Sequence, residues 1–220
     1  MPGTRSARVP RPELLDNAEA SAASRSLADL VRINRYFGGH RTIRSTLRKL
    51  FEPVDSFSVL DVGAGSGDSA EAIQSAFPNA RVASLDYRLS HLRLASGPRV
   101  VASAFLLPFR PKAFDVVFCS LFLHHFDDAQ IRELLKNFGS LARKAVVAVD
   151  LERHWLARRF LPATNLFFSW HEITLHDGPA SVESGFLPDE LADLARTAGL
   201  REVQVRRHLP WFRLSMSARP

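Results

Sequence analysis

Residues 59–67 read Val59-Leu60-Asp61-Val62-Gly63-Ala64-Gly65-Ser66-Gly67. A short apolar run carrying one acid turns through three alternating glycines, and a helix-like segment follows at once. A strand, a side-chain-free loop and a helix start together make the corner at which parallel α/β sheets hold cofactors. This corner commits the middle of the chain to parallel strands joined by helical crossovers. The glycine spacing also narrows the ligand. A dinucleotide loop wants G-x-G-x-x-G, with a small residue in the sixth place, and here that place is Asp68. The pattern present is D-x-G-x-G-x-G.

The remaining chain is compatible with such a fold. Of its 220 residues 46% are apolar, enough for the core of one α/β domain with a short appendage. No run approaches the roughly 18–20 apolar residues of a membrane helix, so no membrane span is expected. Arg5, Arg8 and Arg11 lead into no apolar stretch, and no secretory leader is expected. Cys119 is the single cysteine, which fits a cytoplasmic location. The net charge of +6 raises the question of nucleic acid. The arginines are spread over almost every segment without aromatic interleaving, so a solvated surface is expected and no stable nucleic-acid partner.

Proline and glycine divide the chain. Residues 1–12, with Pro2, Pro10 and Pro12, are expected to be a flexible tail. Residues 13–54 are expected to form an N-terminal helical cover. Leu27, Leu30, Val31 and Asn34 share a face of its first helix, Gly38-Gly39 break it, and Ile43, Leu47, Leu50 and Phe51 mark a second helix ended by Pro53. Residues 55–220 then alternate. Strands are expected at 57–63, 80–86, 99–102, 114–120 and 145–150, with helices at 68–77, at 88–95 and after Asp127-Asp128. Residues 151–187 break the rhythm and read as a lid insertion. Pro188 starts a helix and Gly199 ends it. Strands at 202–209 and 211–218 are too closely linked for a helical crossover and should pair antiparallel. The expected fold is a Rossmann-like α/β domain: a seven-stranded sheet with helices on both faces and a terminal antiparallel pair.

The D-x-G-x-G-x-G pattern resembles motif I of the class I S-adenosylmethionine (SAM) methyltransferases. The resemblance carries specific motifs over residues 55–150 and topology alone over 188–218. It implies SAM as cofactor, held outside the carboxyl ends of the strands. Gly63, Ala64, Gly65 and Gly67 would let the backbone approach SAM, and Asp61 would oppose its ammonium. Asp86 would accept both ribose hydroxyls, with Tyr87 against the adenine. Ser103-Ala104-Phe105-Leu106-Leu107-Pro108-Phe109 resembles the family's loop G-D-A-x-x-L-P-F, with Ser103 in place of its acid. The adenine amino group would then meet an uncharged hydroxyl, beside the Ala104 N–H. Ser120-Leu121-Phe122-Leu123-His124-His125 resembles the S-x-x-x-H-H segment of small-molecule methyltransferases related to the ubiquinone and menaquinone enzymes, which puts Ser120 at the cofactor. Base-amino methyltransferases carry N/D-P-P-Y/F there, so adenine-N6 methylation is disfavoured.

Methylation of a hydroxyl needs a proton acceptor that works near neutral pH, and histidine suits the task. His124 and His125 begin a loop at the cofactor end of the sheet; one is expected to be structural, and either is a candidate base. The lid, from Asp150-Leu151-Glu152-Arg153-His154 through His176-Asp177-Gly178-Pro179 to Ser181, resembles a bacterial subgroup often associated with type III polyketide synthases. Ile33-Asn34-Arg35-Tyr36-Phe37-Gly38-Gly39-His40-Arg41 resembles the same subgroup. Glu183-Ser184-Gly185-Phe186 departs from it where arginine is usual. On this resemblance His176 is the leading base, against the alternative that His176-Asp177 caps a turn. His154, Trp170 and His171 are candidate substrate contacts. Phe160, Phe167 and Phe168, at helical spacing, read as core rather than substrate wall. Arg32, Arg35 and Arg41 are candidates for the SAM carboxylate or simply surface.

The expectation is therefore a SAM-dependent methyltransferase acting on a small hydroxylated aromatic or polyketide- or quinone-like molecule, by O-methylation with a histidine base. It would use no metal and work as a monomer or homodimer. The alternatives are C-methylation of the ubiquinone and menaquinone type, a non-catalytic SAM-binding protein, and an RNA methyltransferase.

Overall fold

A computed structural model describes residues 8, 10, 11 and 13–220. The expected tail therefore lies mostly outside the described residues. Arg8 is not loose: its guanidinium donates to Asp128 Oδ1 (2.7 Å) and to the Phe126 carbonyl (2.6 Å).

After a single 3-10 turn, the chain forms α1 (Ala20–Tyr36) and α2 (Gly39–Leu47). Next come β1 (Ser58–Val62), α3 (Asp68–Ala76), β2 (Arg81–Asp86), α4 (Leu89–Leu92), β3 (Arg99–Val101) and β4 (Phe114–Ser120). They are followed by α5 (Asp128–Leu141), β5 (Ala142–Leu151), α6 (Trp155–Phe168), α7 (Glu172–Ser184), α8 (Pro188–Thr197), β6 (Arg201–His208) and β7 (Arg213–Arg219). The sheet has seven strands in the order β3-β2-β1-β4-β5-β7-β6. Strands β1 to β5 run parallel, and β7 pairs antiparallel with both β5 and β6. Among the described residues no helix is long and apolar enough to cross a membrane.

Two apolar layers sandwich the sheet. On one face Ile131, Leu134, Leu135 and Phe138 of α5 and Leu191 of α8 pack on the sheet; on the other, Ile43 and Leu47 of α2 meet Ile73 of α3. β4 is apolar at almost every position because it is covered on both sides. Asp127 caps α5, accepting from the Gln130 N–H (2.8 Å) while Gln130 Oε1 accepts from the Asp127 N–H (3.1 Å).

The differences from expectation have local causes. β5 starts at Ala142 rather than 145, since its pairing runs back to Phe114 through a register shift. β7 starts at Arg213 rather than 211, because Trp211 and Phe212 belong to the turn after β6 and line a cavity. The Asp177-Gly178-Pro179 stretch, strong turn chemistry in isolation, lies inside α7. A Cβ on Gly178 would meet Leu161 Cδ1 at 2.1 Å, so this glycine lets α6 and α7 approach closely. The lid is thus a pair of antiparallel helices, and α1 lies against α7: Ser26 Oγ is 3.1 Å from Thr174 Oγ1.

Candidate active site

The strands end together at one edge of the sheet, and a cavity of about 1020 Å³ opens there. Its floor is the loop after β1. Gly63, Gly65 and Gly67 have φ of 70°, 53° and 82°, the left-handed region that favours glycine. The Gly63 and Ala64 N–H groups both donate to the Leu85 carbonyl (2.9 and 3.0 Å), which ties the loop to β2. A Cβ on Gly63 would lie 2.2 Å from the Phe122 ring, whereas one on Gly65 would meet only Leu27, at 4.0 Å. Gly63 therefore makes room for β4's loop, and Gly65 keeps the floor bare for a ligand.

Asp86, at the end of β2, accepts from the Gly65 N–H through Oδ2 (3.0 Å) and from the Arg88 N–H through Oδ1 (2.9 Å). Burial works against its charge, but His91 and these two N–H groups hold the carboxyl below its usual range. Asp61 is the reverse case. It is buried, its Oδ2 has no hydrogen-bond partner, and burial followed by the fields of Asp68 and Asp86 pushes it well above the carboxylate range. An ionised acid on the floor and a buried one close by with an unsatisfied oxygen suit a ligand that brings a ribose diol and positive charge. Ala64, Tyr87, Ser103, Ala104 and Ser120 also line the cavity.

At the other end stands a cluster of charged groups. His124, in the turn after β4, is buried with Nδ1 2.6 Å from Asp150 Oδ1 and Nε2 3.4 Å from Glu13 Oε1. The Leu123 and Leu151 N–H groups fix Asp150 (3.0 and 2.8 Å). Burial alone would lower the His124 pKa, but the two carboxylates lift it to about 10. Burial alone would raise Glu13, but His124, His125 and the Ser181 hydroxyl bring it to about 2. His125 stacks on His124 (ring centroids 4.3 Å apart) with Nδ1 3.9 Å from Glu13 Oε1.

The family model described as a methyltransferase domain matches residues 59–145. A demethylmenaquinone methyltransferase of Thermotoga maritima is 23% identical over 187 residues, covering 78% of this chain and 82% of its own length. Among solved structures, a SAM-dependent methyltransferase from Aquifex aeolicus superposes with a TM-score of 0.64 at 15% identity, over 91% of this chain and 98% of its own. Human N-acetylserotonin methyltransferase, solved with SAM, gives 0.55 at 18% identity over 85% of this chain. The chain spans 57% of the human enzyme's length. Residues 59–145 are thus a methyltransferase domain, and the chain carries it in the SAM-dependent methyltransferase fold.

SAM is therefore the cofactor of this methyltransferase, and the residues at the glycine floor fit it. Of the expected cofactor residues, Gly63, Ala64, Gly65, Asp86, Tyr87, Ser103, Ala104 and Ser120 line the cavity. Asp61 and Gly67 do not: Asp61 is wholly inside β1, and Gly67 turns the chain against Ala95. The Ser103 hydroxyl already accepts from the Phe105 N–H (3.2 Å). Arg32, Arg35 and Arg41 are not among the lining residues; Arg32 bridges to Asp29 (3.1 Å) and lies over Trp170.

The histidines sort differently from the sequence reading. His176 is outside the cavity. Its side chain is 58% exposed, with Nδ1 2.9 Å from Asp177, and it borders a separate groove of about 290 Å³. α7 turns it outward because Asp177 points inward to accept from the Leu14 and Leu15 N–H groups (2.9 and 3.0 Å). His154 and His171 cap α6 and α7, each ring nitrogen accepting from the N–H two residues on (3.2 and 3.3 Å). Trp170 is buried, stacked on Phe168 with Nε1 donating to Thr164 Oγ1 (3.0 Å). None of these four reaches the cavity.

Glu13, Asp150 and Arg213 are the residues that sequence reasoning missed. Asp150 was legible as a strand-end acid. Nothing local marked Glu13, which enters the site from far upstream. Arg213 begins β7 beside Leu151, is buried, and donates to Asn34 Oδ1 (3.3 Å). Burial lowers it to about 10, and its Nη1 has no hydrogen-bond partner among the described residues. Glu13, His124 and His125 bring ligand atoms within 4.8 Å of one another and could hold a metal ion.

Proposed function

We propose that this methyltransferase methylates a small, largely apolar, hydroxylated acceptor, an aromatic or a polyketide- or quinone-like molecule, on oxygen. The carrying observation is the shape of one cavity. A bare glycine floor with Asp86 stands at one end, the Glu13–His124–His125 cluster at the other, and apolar walls such as Leu30, Val31, Phe126, Phe160 and Leu161 lie between.

When bound, SAM supplies an electrophilic methyl group, and its transfer to a hydroxyl leaves S-adenosylhomocysteine and one proton to be removed. Gly65 and Asp86 hold the nucleoside. The apolar walls exclude water, which would compete as nucleophile. His124, already an imidazolium between Asp150 and Glu13, has no lone pair to give and works by fixing Glu13. His125 is the histidine placed to take the hydroxyl proton, and the ionised Glu13 carboxylate beside it favours the charged ring that results.

C-methylation is the second reading, favoured by the relative from Thermotoga maritima, a demethylmenaquinone methyltransferase. Incubation with methyl-labelled SAM and a panel of phenols and quinols, read by mass spectrometry and carbon NMR, separates the two. A labelled methoxyl carbon supports the first reading, a labelled ring methyl the second, and no labelled product with any member sinks both.

A further inference from the structure

Helix α6 has two unlike faces. Its inner face supplies Ala157, Phe160 and Leu161 to the cavity wall. Its outer face presents Leu166 (87% exposed), Phe167 (80%), Trp155 (61%) and Leu156 (45%), and no residue of this helix is buried. Positions 155, 159 and 166 stack along one stripe, while 156 and 167 lie about a quarter to a third of a turn around the helix, in the row that Phe160 also occupies, at the border of the two faces. Scattered exposed leucines are ordinary, but four large apolar side chains on one side of one helix are not.

The polar residues of that face are both cationic. The Arg159 guanidinium lies over the Trp155 ring (5.4 Å), and Arg158 reaches Glu183 of α7 (2.8 Å) at the margin. The helix itself carries no acid, and the whole chain has a net charge of +6. Aromatic, aliphatic and arginine side chains without acids on a short helix are what an anionic lipid interface accommodates, with rings at headgroup depth and guanidinium groups among phosphates.

We propose that the outer face of α6 docks on an anionic membrane surface, from which an apolar acceptor reaches the cavity that the inner face lines. The second half of this statement rests on the acceptor reading above; the docking does not. A second copy of the chain fits less well as occupant. Fourteen residues make a helix about 21 Å long, and one face of it falls far short of the ~800 Å² per partner of a stable interface. Two copies would also bring like charges together.

The test uses the full chain and sedimentation with vesicles of phosphatidylcholine, alone or mixed with phosphatidylglycerol. The wild type should sediment with the mixed vesicles and much less with phosphatidylcholine alone. A variant with Leu166→Glu and Phe167→Glu should lose at least about tenfold of that binding, since each change replaces a membrane-buried side chain with a charge repelled by the headgroups. Both positions are solvent-exposed, so the variant should keep its thermal transition and its S-adenosylhomocysteine binding by calorimetry. Wild type that stays in the supernatant with mixed vesicles overturns the proposal, as does a variant that binds as well as wild type. Light scattering that finds a wild-type dimer and a monomeric variant overturns it in favour of self-association. Failure to bind S-adenosylhomocysteine would count against the cofactor reading and leave the vesicle result standing.

Discussion

The two ends of the cavity are built by different means. The cofactor end is made of backbone: three left-handed glycines, N–H groups tied to Leu85 and Asp86, and strand ends that neighbour one another in the sheet. The acceptor end is made of side-chain charge, with Glu13, His124, His125 and Asp150 brought together from an N-terminal turn, the segment after β4 and the end of β5. The first can be kept while strand lengths and lids change. The second exists only while every partner is present, because each buried charge is supported by its neighbours.

Substitution should expose the contrast. His125→Gln keeps a polar side chain but no base, and should lower kcat about 10²–10⁴-fold with S-adenosylhomocysteine affinity unchanged. An equal fall in that affinity would mean that the two ends are not separable. His124→Ala leaves Glu13 and Asp150 buried without their shared cation and should cost about 3–5 kcal/mol by denaturant unfolding. A cost near that of a surface substitution would show that the network is not closed in solution. Asp86→Ala removes a charged acceptor of the loop and the nucleoside, and should weaken S-adenosylhomocysteine binding roughly a hundredfold, about 3 kcal/mol, with a smaller change in unfolding free energy than His124→Ala.

Asp61 sharpens the comparison in the opposite direction. Its folded pKa stands well above the unfolded value of 3.8, so its contribution is present below that pH and is lost as pH rises toward the folded pKa. Asp61→Asn should remove this loss and make the ligand-free protein more stable than wild type at neutral and alkaline pH, while weakening binding of the cationic cofactor. A wild-type stability that climbs with pH across that range, unchanged by Asp61→Asn, would refute the assignment. Smallest of all should be the effect of a chelator: if the His124 imidazolium satisfies Glu13, exhaustive EDTA treatment should leave turnover and Tm unchanged.

Much of the cofactor end was legible because local rules govern it. Glycines at positive φ, an apolar run buried on both faces and the Asp127–Gln130 cap each state their conformation within a few residues. The acceptor end was only half legible. His124 and His125 could be read from the chain, but not which of them is held charged, since that depends on Glu13. His176 looked better placed than either, and α7 turns it away because Asp177 is committed to the Leu14 and Leu15 N–H groups. Asp177-Gly178-Pro179 read as turn chemistry and became helix, because α6 needs the space that Gly178 leaves.

By itself the sequence determined the order of strands and helices, the bend that receives the cofactor and the acid at the end of β2, because periodicity and glycine act over a handful of residues. Tertiary structure alone decided which histidine is held between Asp150 and Glu13, which is turned away from the cavity and which face of α6 is left bare. Those outcomes depend on burial and on charges far apart in the chain, and no local pattern records them.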